Sequence, residues 1–288
     1  MWEGVTGTKC LGDTFKVDFT KQKQVVYLKS GQPCPDFSSS HAGGKSPGSS
    51  GKTGWQFVAQ VEKISQKNPV VFLIEMVANV LQVNDGMEVD TVVEATSQDY
   101  VVHQQVLSVA QYGDCSNRKR LFIVGFCKER VGCMANKFEF PQPEFDEHNF
   151  YTARDVAVPD DVVPDKYWLH EDVEPFIPYK DPLPLCIHKI GHIKPGMGPS
   201  WRPYAVQTFD GIFPTQTTHN GGGRRVPLSW KQGDPIRRAR VTVPTEAPRV
   251  ASLPDDYIDV AAAIDPSDEF RFKAVNIHGY SHAYRGCD

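Results

Sequence analysis

The chain has 288 residues, 40% of them hydrophobic, with 31 lysines and arginines against 35 acids and a net charge of −4. It is therefore long enough and apolar enough to bury a core without disulfide staples, and its overall charge does not mark it as a general polyanion binder. Seven scattered cysteines with no CxxC pair argue against a disulfide framework or a zinc ladder, and the longest apolar stretch, residues 69–80, is too short to span a bilayer.

Taken in chain order, residues 24–29 (QVVYLK) form a β-branched and aromatic run stopped by Ser30-Gly31, which predicts a strand followed by a turn. A Ser/Gly-rich loop, residues 38–54, leads into a helix over 55–64 with Phe57, Val61 and Ile64 on one face. Residues 69–75 read as a buried parallel strand ending in a carboxylate, Glu75. An amphipathic helix around 91–98 and strands over 100–107 and 120–126 complete the pattern of an α/β, doubly wound sheet. Beyond residue 140 the sequence turns proline-rich and acidic, predicting a second, irregular domain over 141–240. A helix start at Pro244 and a closing helix over 272–284 then predict a return of residues 241–288 to the first domain, residues 1–140.

Charge is segregated along the chain. Residues 144–174 hold ten acids against Arg154 and Lys166, a solvated face. Residues 224–240 hold Arg224, Arg225, Lys231, Arg237, Arg238 and Arg240 against Asp234 alone, a local excess of five positive charges suited to gripping phosphates. His188 and His192 lack a third ligand nearby, so no metal is expected. Gly51-Lys52-Thr53 ends like a phosphate loop, but position 46 is serine and no strand leads into it, which leaves a flexible loop.

Three features point to chemistry. Gly31-Gln32-Pro33-Cys34-Pro35-Asp36 sets a cysteine between two prolines just past a strand, where open α/β sheets bind ligands and a rigid backbone holds a thiol in one orientation. Glu75 closes the next strand and so emerges on the same edge as a candidate acid. Arg118 and Arg120, one residue apart before a strand, point the same way in extended chain and form a candidate carbonyl or anion clamp.

These motifs, in this order, resemble those of the cytosine-5 DNA methyltransferase family. Cys34 matches the family's catalytic thiol, Phe72-Leu73-Ile74-Glu75-Met76-Val77 its Glu-Asn-Val strand end, and residues 112–125 its tyrosine-glycine turn running into Gln-x-Arg-x-Arg and a strand. Leu11-Gly12-Asp13-Thr14 is similar to the short motif whose acid meets the cofactor adenine. Residues 213–218 resemble the Pro-Thr stretch that ends target recognition, and residues 243–257 the segment before the final motif. The resemblance implies a Rossmann-like S-adenosylmethionine-dependent methyltransferase sheet, N-terminally truncated because nothing before Asp13 matches the glycine-rich cofactor loop, with a small irregular target-recognition domain. It differs from the family pattern in Pro35 for glutamine, Met76 for asparagine and Ser116 for glutamine.

By that resemblance the cofactor is S-adenosylmethionine, contacted by Asp13, Thr14, Pro33 and Asn276, and the partner is double-stranded DNA, with no membrane involved. Cys34 adds to C6 of a flipped-out cytosine, Glu75 shares a proton with N3, and Arg120, with Arg118 beside it, holds the ring carbonyl. The carbonyl of Pro33 accepts from the exocyclic amine. Ser38, Arg224, Arg225, Arg237 and Arg238 are the candidate DNA backbone contacts, and the expected location is intracellular, nuclear in a eukaryote and cytoplasmic otherwise. Two other readings stand beside this one. A methyltransferase-like chain, or a fragment of an active enzyme, can bind DNA or a partner without catalysis; a cysteine hydrolase needs a histidine partner for Cys34 that no motif supplies.

Overall fold

The computed structural model describes residues 15–38, 46–146, 148–172, 174–175, 189–192, 205–213, 215, 227–229, 238–264 and 266–267. They fall into two units, one of Met1–Leu107 with Arg120–Phe140, the other of Ser108–Lys119 with Pro141–Asp288. The closing helix expected over 272–284 lies outside the described residues.

The first unit is built on β1 (Tyr27–Gly31), β2 (Val71–Val77), β3 (Tyr100–Ser108) and β4 (Lys119–Cys127), in the order β1-β2-β4-β3. β1 and β2 are parallel, with Gly31 opposite Glu75. This is the α/β architecture the sequence predicts, with one strand reversed: β4 runs antiparallel to β2. The link from β3 to β4, residues 109–118, is shorter than the dozen or more that a parallel crossover needs, so the chain turns back on itself.

Val, Phe, Ile and Met make β2 a natural strand, and its period of two sends Phe72, Ile74 and Met76 into the core. Opposite Phe72 stands Gly125 of β4; a Cβ there would lie 2.1 Å from the Phe72 ring, so only glycine lets that ring settle edge-on against Tyr100, 5.0 Å away. Burial pushes the Tyr100 phenol up to about 12, and its hydroxyl donates to the carbonyl of Pro69 at 2.9 Å.

The predicted helix over 55–64 divides into α1 (Trp55–Val58) and α2 (Gln60–Lys67), hinged at Ala59, and burial of Phe57 and Ile64 follows the expected face. Asn68 ends α2 in a left-handed conformation, its N–H donating to the Ile64 carbonyl. Buried Lys67 donates from Nζ to the carbonyls of Gln22 and Lys23, while Gln24 donates to the Lys67 carbonyl. Those residues are thus spent on a tie to α2, and the first strand begins at Tyr27 rather than Gln24. α3 (Met87–Ser97) begins one turn before the apolar pattern suggests, behind Gly86 at φ 81°.

In the second unit, β5 (Trp168–Asp172), β6 (Glu174–Pro175), β7 (Lys189–His192), β8 (Ala205–Thr208), β9 (Pro227–Ser229) and β10 (Arg238–Val241) form a mixed sheet in the order β5-β10-β9-β8-β7-β6. α4 (Ala153–Val156) opens with a Thr152–Asp155 capping box. α5 (Glu246–Val250) and α6 (Tyr257–Ile264) follow the sheet. Arg240 is the largest fully buried side chain of the unit, an outcome opposite to the phosphate-gripping surface expected of its neighbourhood.

Candidate active site

The parallel register of β1 and β2 fixes the first relation: Gly31 and Glu75 are partners, and Cys34 follows Gly31 by three residues. Cys34 is half-buried, packs against the core, and leads a single 3₁₀ turn, Pro35–Phe37, in which Phe37 N–H donates to the Cys34 carbonyl. Proline at the first position of that turn fits, since its missing N–H would be unpaired there anyway.

The turn is pinned from three sides. Phe37 is fully buried, edge-on to Phe57 at 5.8 Å. Its carbonyl accepts from Asn79 Nδ2 at 2.7 Å, out of the turn that follows β2. Asp36, itself buried, accepts from the Thr53 N–H at 2.6 Å, the Thr53 hydroxyl at 2.8 Å and the Gly54 N–H at 2.8 Å. Gly51 completes the cradle, because a Cβ there would stand 2.3 Å from Asp36 Cγ. The segment Gly51-Lys52-Thr53, which has the ending of a phosphate loop, thus holds a carboxylate of its own chain. Asp36, Thr53 and Asn79 escape motif reasoning because each acts through a contact 17 or 42 residues away.

Thr53 N–H, the Thr53 hydroxyl and Gly54 N–H all meet Asp36 Oδ2, so Asp36→Asn keeps an oxygen for them but removes the charge that strengthens the three bonds. The expected loss is about 1–3 kcal/mol in chemical denaturation. Alkylation of Cys34, followed by peptide mapping, should be faster than in the parent chain as the turn loosens.

Glu75 lies inside β2, two residues before its end, so the strand continues past the point at which the sequence predicts it to close. Its Oε1 accepts from Arg120 Nε at 2.9 Å, both side chains being largely shielded from solvent. A Cβ on Gly31 would lie 3.4 Å from Glu75 Oε2, so glycine keeps that side of the carboxylate clear of a side chain. Met76, which stands where the resemblance expects asparagine, is a core residue.

Arg118 belongs to the other unit and is buried there, its carbonyl accepting from the Val109 N–H at 3.0 Å. The turn before it is stitched to Phe213: Phe213 N–H donates to the Cys115 carbonyl, Asn117 N–H to the Phe213 carbonyl, and the Thr215 hydroxyl to the Asn117 carbonyl. Two of the segments that carry the family resemblance are thus held together by backbone bonds. Ser116, in place of the family's glutamine, is buried, its N–H donating to Asp114 Oδ1 at 2.7 Å.

Ser38 closes the cysteine turn, its carbonyl accepting from the Ser46 hydroxyl at 2.8 Å. Arg238 begins β10. Arg224, Arg225 and Arg237 lie outside the described residues, as do Asp13, Thr14 and Asn276. Pro33 sits at the carboxyl edge of β1, and the turn's hydrogen bonds run to the carbonyls of Cys34 and Pro35, not to its own. That position fits a carbonyl acceptor at the sheet edge. Cys115, by contrast, is enclosed, and burial pushes its thiol far up, with Asp114 adding to the rise.

A family model described as C-5 cytosine-specific DNA methylase matches residues 6–263. Among curated proteins, the chain is 24% identical over 254 residues to the orphan methyltransferase M.SPRI of Bacillus phage SPR, covering 79% of this chain and 56% of that protein. It is 26% identical over 260 residues to the type II methyltransferase M.HhaI of Haemophilus parahaemolyticus, covering 87% and 72%. The chain thus spans little more than half the length of the phage relative. Among solved structures, the Entamoeba histolytica methyltransferase EhMeth shares the fold, with a TM-score of 0.53 at 12% identity, over 87% of this chain and 72% of that one.

Proposed function

Because the chain belongs to the C-5 cytosine-specific DNA methylase family, matched over residues 6–263, we propose that it transfers a methyl group from S-adenosylmethionine to C5 of cytosine in double-stranded DNA. The observation that carries this reading is the common edge of β1 and β2, which holds the pinned Cys34 turn and the Glu75–Arg120 pair in one unit.

C5 of cytosine is a weak nucleophile, so the ring must first be activated. The Cys34 thiolate forms a bond to C6, and the C5–C6 π electrons move toward C5. Glu75, held by Arg120, shares a proton with N3 and so limits charge on the ring. Arg120, the second arginine of the motif, presents a planar fork of donors that meets the ring carbonyl, with Arg118 the first arginine of that motif. The carbonyl of Pro33 orients the exocyclic amine. When bound, S-adenosylmethionine supplies an electrophilic methyl group, and Asp13, Thr14, Pro33 and Asn276 are its proposed contacts. Once C5 carries the methyl, its proton leaves to a base and the Cys34–C6 bond breaks, restoring the ring and the thiolate. A base reached in this way must leave the duplex, at a cost of a few kcal/mol that backbone contacts offset; Ser38, Arg224, Arg225, Arg237 and Arg238 are proposed for that role.

The test is label transfer from methyl-tritiated S-adenosylmethionine to duplex DNA, with digestion to nucleosides. Radioactivity in 5-methylcytosine is expected, and Glu75→Gln should slow its appearance by about 10²- to 10⁴-fold. Folded protein that retains DNA but transfers no label would overturn catalysis in favour of a methyltransferase-like binding protein.

A further inference from the structure

Between α1, α2 and the start of α3 runs a groove of about 860 Å³ whose lining is mostly apolar. Trp55 and Met87 are exposed on it, and Val58 forms part of its wall. Its polar lining includes Glu62, Gln66 and Glu88, with no lysine or arginine among the described lining residues.

Two of these polar groups are incomplete. Glu88 is only 4% exposed; its Oε1 accepts from the Ser49 N–H at 3.0 Å and Asn84 Nδ2 at 2.7 Å, while its buried Oε2 has no partner among the described residues. Gln66 donates from Nε2 to Glu62 Oε1 at 2.7 Å, and its buried Oε1 likewise has no partner. Buried acceptors left unmade are costly, and a carboxylate more so than an amide. Burial disfavours the charge on Glu88, but the Ser49 and Asn84 bonds outweigh it and hold the carboxyl below its usual range, so the group is an anion at neutral pH. Nothing in the proposed chemistry at Cys34 uses these residues.

We propose that the groove is a docking site for a peptide segment of a partner protein that presents a lysine or arginine among apolar residues. Its cationic head lies over Glu62 and Glu88 at the groove wall, and its apolar neighbours cover Trp55 and Met87. Charge complementarity selects this occupant: an apolar trough walled by Glu62 and the anionic Glu88, with no cation among its described lining residues, matches a basic head on an apolar body.

Saturation-transfer NMR on the whole chain, with the probe peptide acetyl-Leu-Arg-Leu-amide, tests this against the same peptide carrying uncharged citrulline and against agmatine. The arginine peptide should bind at least about tenfold more tightly than the citrulline peptide, and Glu88→Gln should cost about tenfold. That substitution keeps a carbonyl oxygen for Ser49 and Asn84 and removes the charge. Should Glu88→Gln fail to fold, Glu62→Lys on the exposed rim serves instead and should weaken the arginine peptide at low salt. Equal binding of the two peptides, no saturable binding by folded protein, or indifference to the Glu88 and Glu62 changes would overturn the site. Agmatine binding as tightly as the peptide would overturn the peptide and leave a small cation.

Discussion

Cys34→Ala is expected to give no denaturation-resistant adduct with duplex DNA containing 5-fluorocytosine and S-adenosylmethionine, and to lower methyl transfer by at least about 10⁴-fold. Fluorine at C5 cannot leave as a proton does, so a completed transfer freezes the bond between sulfur and C6 in the parent chain. Alanine has no atom to make that bond. The variant should nevertheless keep its fold. Cys34 sits at φ −103°, ψ 6°, which alanine adopts readily, and the turn is held by Phe37, Asp36 and Asn79 rather than by the sulfur. Of the other described thiols, Cys115 and Cys127 are buried and Cys133 lies outside the β1–β2 edge, after β4. DNA affinity of the alanine variant should stay near that of the parent. Label transfer that survived the change would remove Cys34 as the nucleophile, whereas loss of both transfer and DNA binding would point to damage beyond the turn.

The strands that set this geometry are visible in the sequence because each depends on local pattern. Residues 71–77 and 119–127 are runs of β-branched and aromatic side chains, and a parallel pairing of two strands brings their carboxyl ends to one edge. From that alone follows the proximity of the Cys34 turn and Glu75. What supports the turn was not legible, because it is made by contacts distant in sequence. Asp36 looks like any loop acid until Thr53 and Gly54 supply their N–H groups to it, and the glycines of residues 48–54 look like flexibility. All three are there for room, Gly51 beside Asp36. Gly48, at φ 62°, would carry a Cβ 2.6 Å from Asn84 Nδ2, and one on Gly54 would stand 1.9 Å from the Gly48 carbonyl oxygen. The hinge at Ala59 was hidden for the opposite reason: apolar residues on either side keep helical spacing through it, so periodicity reads one helix where the backbone makes two.

Charge counting failed most plainly at Arg240, which a local excess of positive residues places on a phosphate-binding surface. Its guanidinium is 1% exposed, donates to Glu246 at 2.7 and 3.1 Å and to Asp160 at 3.0 Å, and lies over the Phe209 ring at 5.1 Å. Glu246, as deeply buried, also accepts the N–H groups of Val158 at 3.0 Å and Val243 at 2.8 Å. One carboxylate therefore ties β10 to α5 and to the segment after α4, with Arg240 facing it as its partner. Arg240→Met fills much of the same volume but strands that carboxylate, and removing one partner of a buried pair costs about 3–5 kcal/mol. Chemical denaturation of the chain should show a loss of that size in the transition of the second unit. Arg240→Met combined with Glu246→Gln should lose less than the sum of the two single changes, with a coupling of at least about 1 kcal/mol, since the amide still meets a backbone N–H and no charge is left unpaired. A loss within about 0.5 kcal/mol for Arg240→Met would instead mean that the guanidinium is not the partner that holds the Glu246 carboxylate. It would also return Arg240 to the set of residues that can reach a phosphate.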